Sequence, residues 1–219
     1  LIAFGLARCL GIGLTLNFLS PYCSTSIIEF WRRWHVTLSQ WFRDYVYIPV
    51  GGGRVRYWAL NVALVFIVSG IWHGAGWNFV LWGALHGGYL IVNRWCGRLK
   101  LPVAAGWALT MVASFYAWLC FYETNTAALF TKMKLLLTPM AYRAAGLGEM
   151  VRAFEPGHRI VLSFVLLLAA VTLALEWLSI RHKNDPYYYL RNKPVLLILV
   201  ITTVLLAPGG NNGFIYFAF

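Results

Sequence analysis

Hydrophobic residues along the chain gather into six long runs, and short segments rich in arginine and lysine separate several of them. A helix needs about 20 apolar residues to cross a bilayer, so runs of roughly 15–20 residues are candidate spans. We place these spans near residues 1–19, 57–72, 77–92, 103–122, 160–180 and 194–208. The pattern predicts an all-α, polytopic protein with multiple membrane-spanning helices.

Composition supports this prediction, because 60% of the residues are hydrophobic, only 11% are charged and the mean hydropathy is +0.67. Soluble domains carry about 25% charged residues. A net charge of +11 often indicates nucleic-acid binding. Here the basic residues lie in short segments between apolar runs, which favours cytoplasmic loops beside anionic lipid headgroups. We therefore expect the lipid bilayer as a partner, no nucleic acid, and cytoplasmic loops at 29–56, 93–102 and 181–194.

The chain starts with an apolar run and without an initiator methionine. We expect residues 1–219 to be the C-terminal part of a single transmembrane domain in a longer protein. The four cysteines are scattered without a C-x-x-C pair, which predicts neither a zinc site nor a disulfide framework. No bound cofactor and no metal are expected.

One polar segment, residues 29–48, combines arginines and tryptophans with a single histidine. In a helical projection His35 falls on the same side as Trp31 and Phe42, and the charged residues gather opposite. The pattern predicts one amphipathic helix on the cytoplasmic membrane surface, ending before Pro49. A histidine on the inner face is costly unless it is paired, and packing against a neighbouring helix is one explanation for it.

The stretch SGIWHGAGW separates two of the shorter apolar runs and contains Gly70, Gly74 and Gly76. Glycines weaken or kink helices, and irregular backbone at membrane depth persists only inside protein or beside a water-filled cavity. We therefore predict a broken helix here and a functional site that includes His73. Considered alone, a purely structural role for this histidine fits the pattern equally well.

Three polar or aromatic residues of the next helix, Asn78, Trp82 and His86, share one face and are predicted to line a common cavity. A neutral imidazole can take a proton from a hydroxyl and so raise its nucleophilicity toward a thioester. There is no G-x-S-x-G motif, which disfavours a covalent acyl-enzyme and favours direct transfer between two bound substrates.

Two other functions use the same residues. Haem ligation by His73 and His86 would need two further ligands on a partner helix, and no other histidine pair has a similar spacing. A transporter or flippase-like subunit would also use a broken helix and intramembrane histidines, and it stays the alternative function.

Two long motifs point to a known family. EFWRRWHVTLSQWFRDYVYIPVGGGR at 29–54 and GIWHGAGWNFVLWGALHG at 70–87 resemble blocks of the membrane-bound O-acyltransferase family, most closely its bacterial alginate O-acetyltransferase branch. PY at 21–22 and the terminal FIYFAF at 214–219 fit as well. Between about 100 and 210 the similarity is one of hydropathy only.

The resemblance implies helices, some broken or re-entrant, around a tunnel that joins the two membrane faces. It implies that His73 is catalytic and that His35 is its partner. By position, Trp72, Asn78, Trp82 and His86 would line the tunnel beside them.

The resemblance also implies substrates, partners and a location. The donor would be a cytoplasmic thioester, acetyl-CoA or an acyl carrier, and the acceptor an extracytoplasmic polysaccharide such as alginate. Periplasmic acetyltransferase partner proteins would complete the transfer, and the protein would be a multi-pass protein of the bacterial inner membrane.

Overall fold

The computed structural model describes residues 2–97, 101–139 and 156–206, which form helices and connecting segments without a β-strand. The all-α prediction is therefore confirmed for this part of the chain. Contacts divide the chain into two compact units, Leu1–Thr124 and Asn125–Phe219. The prediction that 1–219 is one part of a single transmembrane domain stays a prediction. The FIYFAF block at 214–219 lies outside the described residues.

The first unit contains six described α-helices. They are α1 (Ile2–Cys9), α2 (Ile27–Arg33), α3 (Val36–Phe42), α4 (Trp58–His73), α5 (Trp77–Trp95) and α6 (Val103–Tyr122). A short 3₁₀ helix at Pro21–Cys23 precedes α2, and a π-helical turn at Arg43–Tyr47 follows α3. Because α1 ends at Cys9, the predicted span over 1–19 is wrong.

The described helices of the second unit are α7 (Thr126–Leu136), α8 (Pro156–Lys183) and α9 (Lys193–Leu206). Across both units, two described segments are long and apolar enough to cross a membrane, namely α6 and residues 159–183 of α8. Helix α4 and residues 193–202 are apolar but shorter. A larger number of spans stays a prediction.

Helices α4 and α5 form an antiparallel hairpin whose backbones touch. A Cβ atom at Gly83 would lie 2.2 Å from the carbonyl oxygen of Phe66, and one at Gly70 would lie 2.3 Å from that of Phe79. The prediction that Gly70 breaks the helix is therefore wrong. It lies inside α4, where the missing side chain permits the close approach, and only residues 74–76 separate the two helices.

The predicted continuous helix over 29–48 is also wrong, because α2 and α3 are separate helices that meet at Trp34 and His35. Ser26 caps the N-terminus of helix α2, and its hydroxyl accepts a hydrogen bond from the Glu29 backbone nitrogen at 3.1 Å. Its buried face, Ile27 and Phe30, packs with Met111 of α6. This contact places the α2–α3 junction beside α6.

Helix α6 runs antiparallel to α5. The Asn78 side-chain amide, near the start of α5, donates a 2.7 Å hydrogen bond to the backbone carbonyl of Cys120, near the end of α6. At the other end of α6, the Trp107 indole donates to the Tyr22 carbonyl at 2.8 Å. The end of α6 therefore lies at the α4–α5 turn.

Candidate active site

The three histidines of the first unit lie on three different elements. His35 joins α2 to α3, His73 is the last residue of α4, and His86 lies in the middle of α5. The Trp82 ring contacts the imidazoles of both His73 and His86, with centroids 5.0 and 4.9 Å apart. His35 lies within electrostatic range of His73. The fold thus groups the histidines that the motifs singled out, although their chemical roles stay predictions.

The backbone of His35 is left-handed, with φ 43° and ψ 57°, a conformation that residues other than glycine rarely adopt. The chain around Asn17 holds this bend. Its backbone carbonyl accepts from the Val36 nitrogen at 2.9 Å, and its side-chain oxygen accepts from the Thr37 nitrogen at 2.9 Å. The Nδ1 atom of His35 is buried and has no hydrogen-bond partner among the described residues. Burial lowers the pKa of His35, so this imidazole is neutral at neutral pH.

His73 is half-buried where α4 ends at the hairpin turn. Its imidazole packs edge-on against Trp72, Trp82 and Phe121, with ring centroids 4.8, 5.0 and 5.1 Å away. Phe79 stacks at a longer distance of 6.5 Å. The histidine is therefore fixed by aromatic rings rather than by an ion pair, and it keeps part of its surface open.

His86 is almost completely buried, with 1% of its surface exposed. The Trp31 indole nitrogen donates a hydrogen bond to His86 Nδ1 at 3.3 Å, which joins α2 to α5. The rings of Trp31, Trp82 and Tyr89 stand edge-on around the imidazole at 4.9–5.7 Å. Its second nitrogen, Nε2, is buried without a hydrogen-bond partner among the described residues.

The other residues predicted to line the tunnel differ from one another. Asn78 is buried, and its amide is engaged by the Cys120 carbonyl, so it joins helices. Trp72 leaves 57% of its surface exposed and covers one side of His73. Trp82 is 4% exposed, and its indole nitrogen has no partner among the described residues. The tunnel itself stays a prediction.

Two residues of the site were missed by the sequence argument. Trp31 was placed on the inner face with His35, but nothing in the pattern indicated that its indole reaches His86 across 55 positions. Phe121, at the end of a uniformly apolar helix, packs on His73, Phe79 and Trp82. Its role depends on the antiparallel packing of α6, which hydropathy does not specify.

The arrangement offers proton transfer at His73 and hydrogen bonding at several buried nitrogens. Among the described residues, no group of three or more histidine, cysteine, aspartate or glutamate side chains is placed to hold a metal ion. An open imidazole such as that of His73 can accept a proton from a hydroxyl. The surrounding aromatic rings keep the site apolar, which strengthens the electrostatic interactions made inside it.

Comparison with known proteins identifies the family of the chain. The model of the membrane-bound O-acyltransferase family matches residues 1–133, which contain all six predicted site residues. The chain is 41% identical over 132 residues to the peptidoglycan O-acetyltransferase of Helicobacter pylori, covering 57% of this chain and 25% of that protein. It is 34% identical over 188 residues to the probable alginate O-acetylase of Pseudomonas putida, covering 84% and 38% respectively.

A third relative is named for a different acyl group and a different polymer. The teichoic acid D-alanyltransferase of Streptococcus thermophilus is 36% identical over 110 residues, covering 46% of this chain and 26% of that protein. The chain thus spans between a quarter and about two fifths of the length of these relatives. Since the family model matches 133 of the 219 residues, the chain belongs to the membrane-bound O-acyltransferase family.

Proposed function

We propose that the chain is part of a membrane-embedded O-acyltransferase. It moves an acetyl group from a cytoplasmic thioester, acetyl-CoA or an acyl carrier, toward hydroxyl groups of an extracytoplasmic polysaccharide such as alginate. The observation that carries the proposal is His73, an open imidazole at the hairpin turn, within electrostatic range of His35 and enclosed by aromatic rings. Relatives named for alginate, peptidoglycan and teichoic acid support a polymer as the acceptor.

The reaction needs a base and two substrates. In the proposed mechanism, neutral His73 takes the proton of an acceptor hydroxyl while the hydroxyl oxygen attacks the thioester carbonyl carbon. A carbon–oxygen bond forms, the carbon–sulfur bond breaks, and the departing thiolate takes up the proton. His35 tunes His73 and stabilises the charge that develops there. General base catalysis of this kind contributes about 10²- to 10⁴-fold in rate.

Location and partners follow from the same proposal. We place the protein in the bacterial inner membrane as a multi-pass protein, with periplasmic acetyltransferase proteins passing the acetyl group on to the polysaccharide. The hairpin supports a defined orientation, because Arg94 at the end of α5 donates to the carbonyl of Gly53, just before α4, at 3.4 Å. The basic segments 29–56 and 93–102 therefore meet at one end of the hairpin, and His73 lies at the other end.

The proposal predicts that His73→Ala abolishes acetyl transfer. Membranes that contain the full natural protein and its expressed gene neighbours are supplied with radiolabelled acetyl-CoA, and label in cell-envelope polysaccharide is measured. We expect a loss of at least about a hundredfold, because the base is removed while the surrounding rings remain.

The matched control is His182→Ala, which removes an exposed histidine near the end of α8. It should leave transfer unchanged. Full turnover by a correctly inserted His73→Ala protein would contradict the assignment of the base. If wild type fails with acetyl-CoA and with a panel of other acyl thioesters, the transporter or flippase-like alternative gains support.

A further inference from the structure

Two buried N–H groups of α5 have no hydrogen-bond partner among the described residues, and one of them belongs to Trp82, whose ring contacts His73. Buried polar groups are nearly always hydrogen-bonded, so each exception needs a reason. Trp82 Nε1 and His86 Nε2 are such exceptions among the described residues, and their side chains are 4% and 1% exposed. They lie four residues apart on α5, and their rings are in contact with centroids 4.9 Å apart.

The protonation of His86 follows from its hydrogen bond. Trp31 Nε1 is only a donor, so the His86 Nδ1 atom that it contacts at 3.3 Å must be the acceptor. A protonated imidazole would place two N–H groups face to face. His86 is therefore neutral, with its single hydrogen on Nε2. Like Trp82 Nε1, this atom is a donor without an acceptor among the residues that the structure describes.

The position of the two donors is fixed by packing. Gly83 lies between them on α5, in backbone contact with Phe66 of α4, and the Phe66 ring stacks on His86. Trp82 contacts His73 as well, with ring centroids 5.0 Å apart. A donor on a rigid, tightly packed helix beside a base is suited to charge that develops during a reaction.

We propose that Trp82 Nε1–H and His86 Nε2–H bind the oxygen of the acyl carbonyl and stabilise it as an oxyanion. The inference rests on the proposed acyltransferase function. When the acceptor oxygen attacks, the carbonyl π electrons move onto this oxygen, and the hydroxyl proton goes to His73. When the carbon–sulfur bond breaks, the carbonyl re-forms and the thiolate takes the proton. Neither donor gives up its own hydrogen, so Trp82 and His86 act by hydrogen bonding alone.

The direct test removes one hydrogen-bond donor and keeps an aromatic side chain at the same position. Trp82→Phe in the full natural protein should lower kcat about 10²- to 10³-fold with little change in KM for acetyl-CoA, as the loss of one oxyanion donor does elsewhere. His86→Phe should behave similarly, whereas His86→Gln, which retains a side-chain N–H, should recover part of the rate. The matched control is Trp95→Phe, the same change in an exposed tryptophan at the far end of α5, away from His73. It should leave kcat unchanged.

A second measurement reads the hydrogen bonds to the acyl carbonyl without relying on turnover, and it requires only that the variant binds acetyl-CoA. In His73→Ala protein, which is not expected to turn over, the infrared carbonyl frequency of bound ¹³C-acetyl-CoA reports hydrogen bonding directly. Adding Trp82→Phe or His86→Phe should raise that frequency, and adding Trp95→Phe should not.

The outcomes separate the two proposals. In one outcome, wild type transfers acetyl and His73→Ala does not, while Trp82→Phe and His86→Phe keep the wild-type kcat and carbonyl frequency. The two donors then do not bind the acyl oxygen, so this inference is wrong while the proposed function stands. If wild type transfers no acyl group from any donor, the function itself is wrong.

Discussion

At the residue scale, the backbone at His35 sets a constraint that is separate from its imidazole. A left-handed conformation costs about 1–2 kcal/mol for most L-residues, less for asparagine and nothing for glycine. His35→Gly removes the imidazole and relieves this cost, whereas His35→Ala removes the imidazole and keeps the cost. His35→Asn tolerates the bend and retains a hydrogen-bonding group.

These three variants predict an order of effects. Thermal stability in detergent should be highest for His35→Gly or His35→Asn and lowest for His35→Ala. Acetyl transfer should survive in part only in His35→Asn. Equal transfer by His35→Gly and wild type would show that the position matters for the chain bend and has no part in chemistry.

The break at His35 could not be predicted from local sequence, because no glycine or proline occurs between 26 and 48. In a continuous helix the Thr37 nitrogen would bond to the Arg33 carbonyl. Here that carbonyl accepts from the Leu19 nitrogen at 2.9 Å instead, and Asn17 takes the Thr37 nitrogen. A segment distant in sequence supplies the hydrogen bonds that the bend gives up. By contrast, the 70–87 motif that carries His73 and His86 contains its own turn, and both imidazoles contact the Trp82 ring. Their roles stay predictions.

At the element scale, the α4–α5 hairpin depends on backbone contact at glycine. A Cβ at Gly83 would clash with the Phe66 carbonyl, whereas a Cβ at Gly88, five residues further along α5, meets no atom within 4 Å. Gly83→Ala must separate the helices at a cost of about 1–3 kcal/mol. Gly88→Ala should be neutral or stabilising by up to about 1 kcal/mol, since alanine is the better helix former.

The two variants form a matched pair that differs only in position on one helix. Thermal unfolding of the detergent-solubilised protein should show a lower midpoint for Gly83→Ala than for Gly88→Ala, and transfer should fall with it. Equal midpoints would mean that the hairpin opens without penalty and that the close contact is unimportant.

Hydropathy predicted this hairpin well. The runs at 57–72 and 77–92 correspond to Trp58–His73 and Trp77–Trp95, because the turn residues Gly74 and Gly76 mark a real interruption. Gly70 was misread because a glycine that permits helix packing and a glycine that ends a helix are indistinguishable in a single sequence. The distinction depends on the opposing backbone of Phe79.

At the scale of the whole molecule, charge and packing within the first unit distinguish the two ends of the α4–α5 hairpin. Arg94 bonds to the Gly53 carbonyl and lies over the Trp58 ring at 4.1 Å, so the basic ends of the hairpin lie together. The end of α6 lies at the opposite, His73 end, because Phe121 packs on His73. With 20 residues, α6 is about 30 Å long and matches the hydrocarbon core.

This geometry predicts which cysteines a membrane-impermeant maleimide can reach in whole bacterial cells with a permeabilised outer membrane. Cys96, exposed just after α5, is predicted to face the cytoplasm, so it should react only after the inner membrane is opened. A Thr124→Cys variant, exposed just beyond α6, should react without that step. Each cysteine is tested alone, with the protein's other cysteines replaced. The expected pattern follows because basic residues are retained on the cytoplasmic side. The reverse pattern would place His73 nearer the cytoplasm and would contradict the proposed orientation.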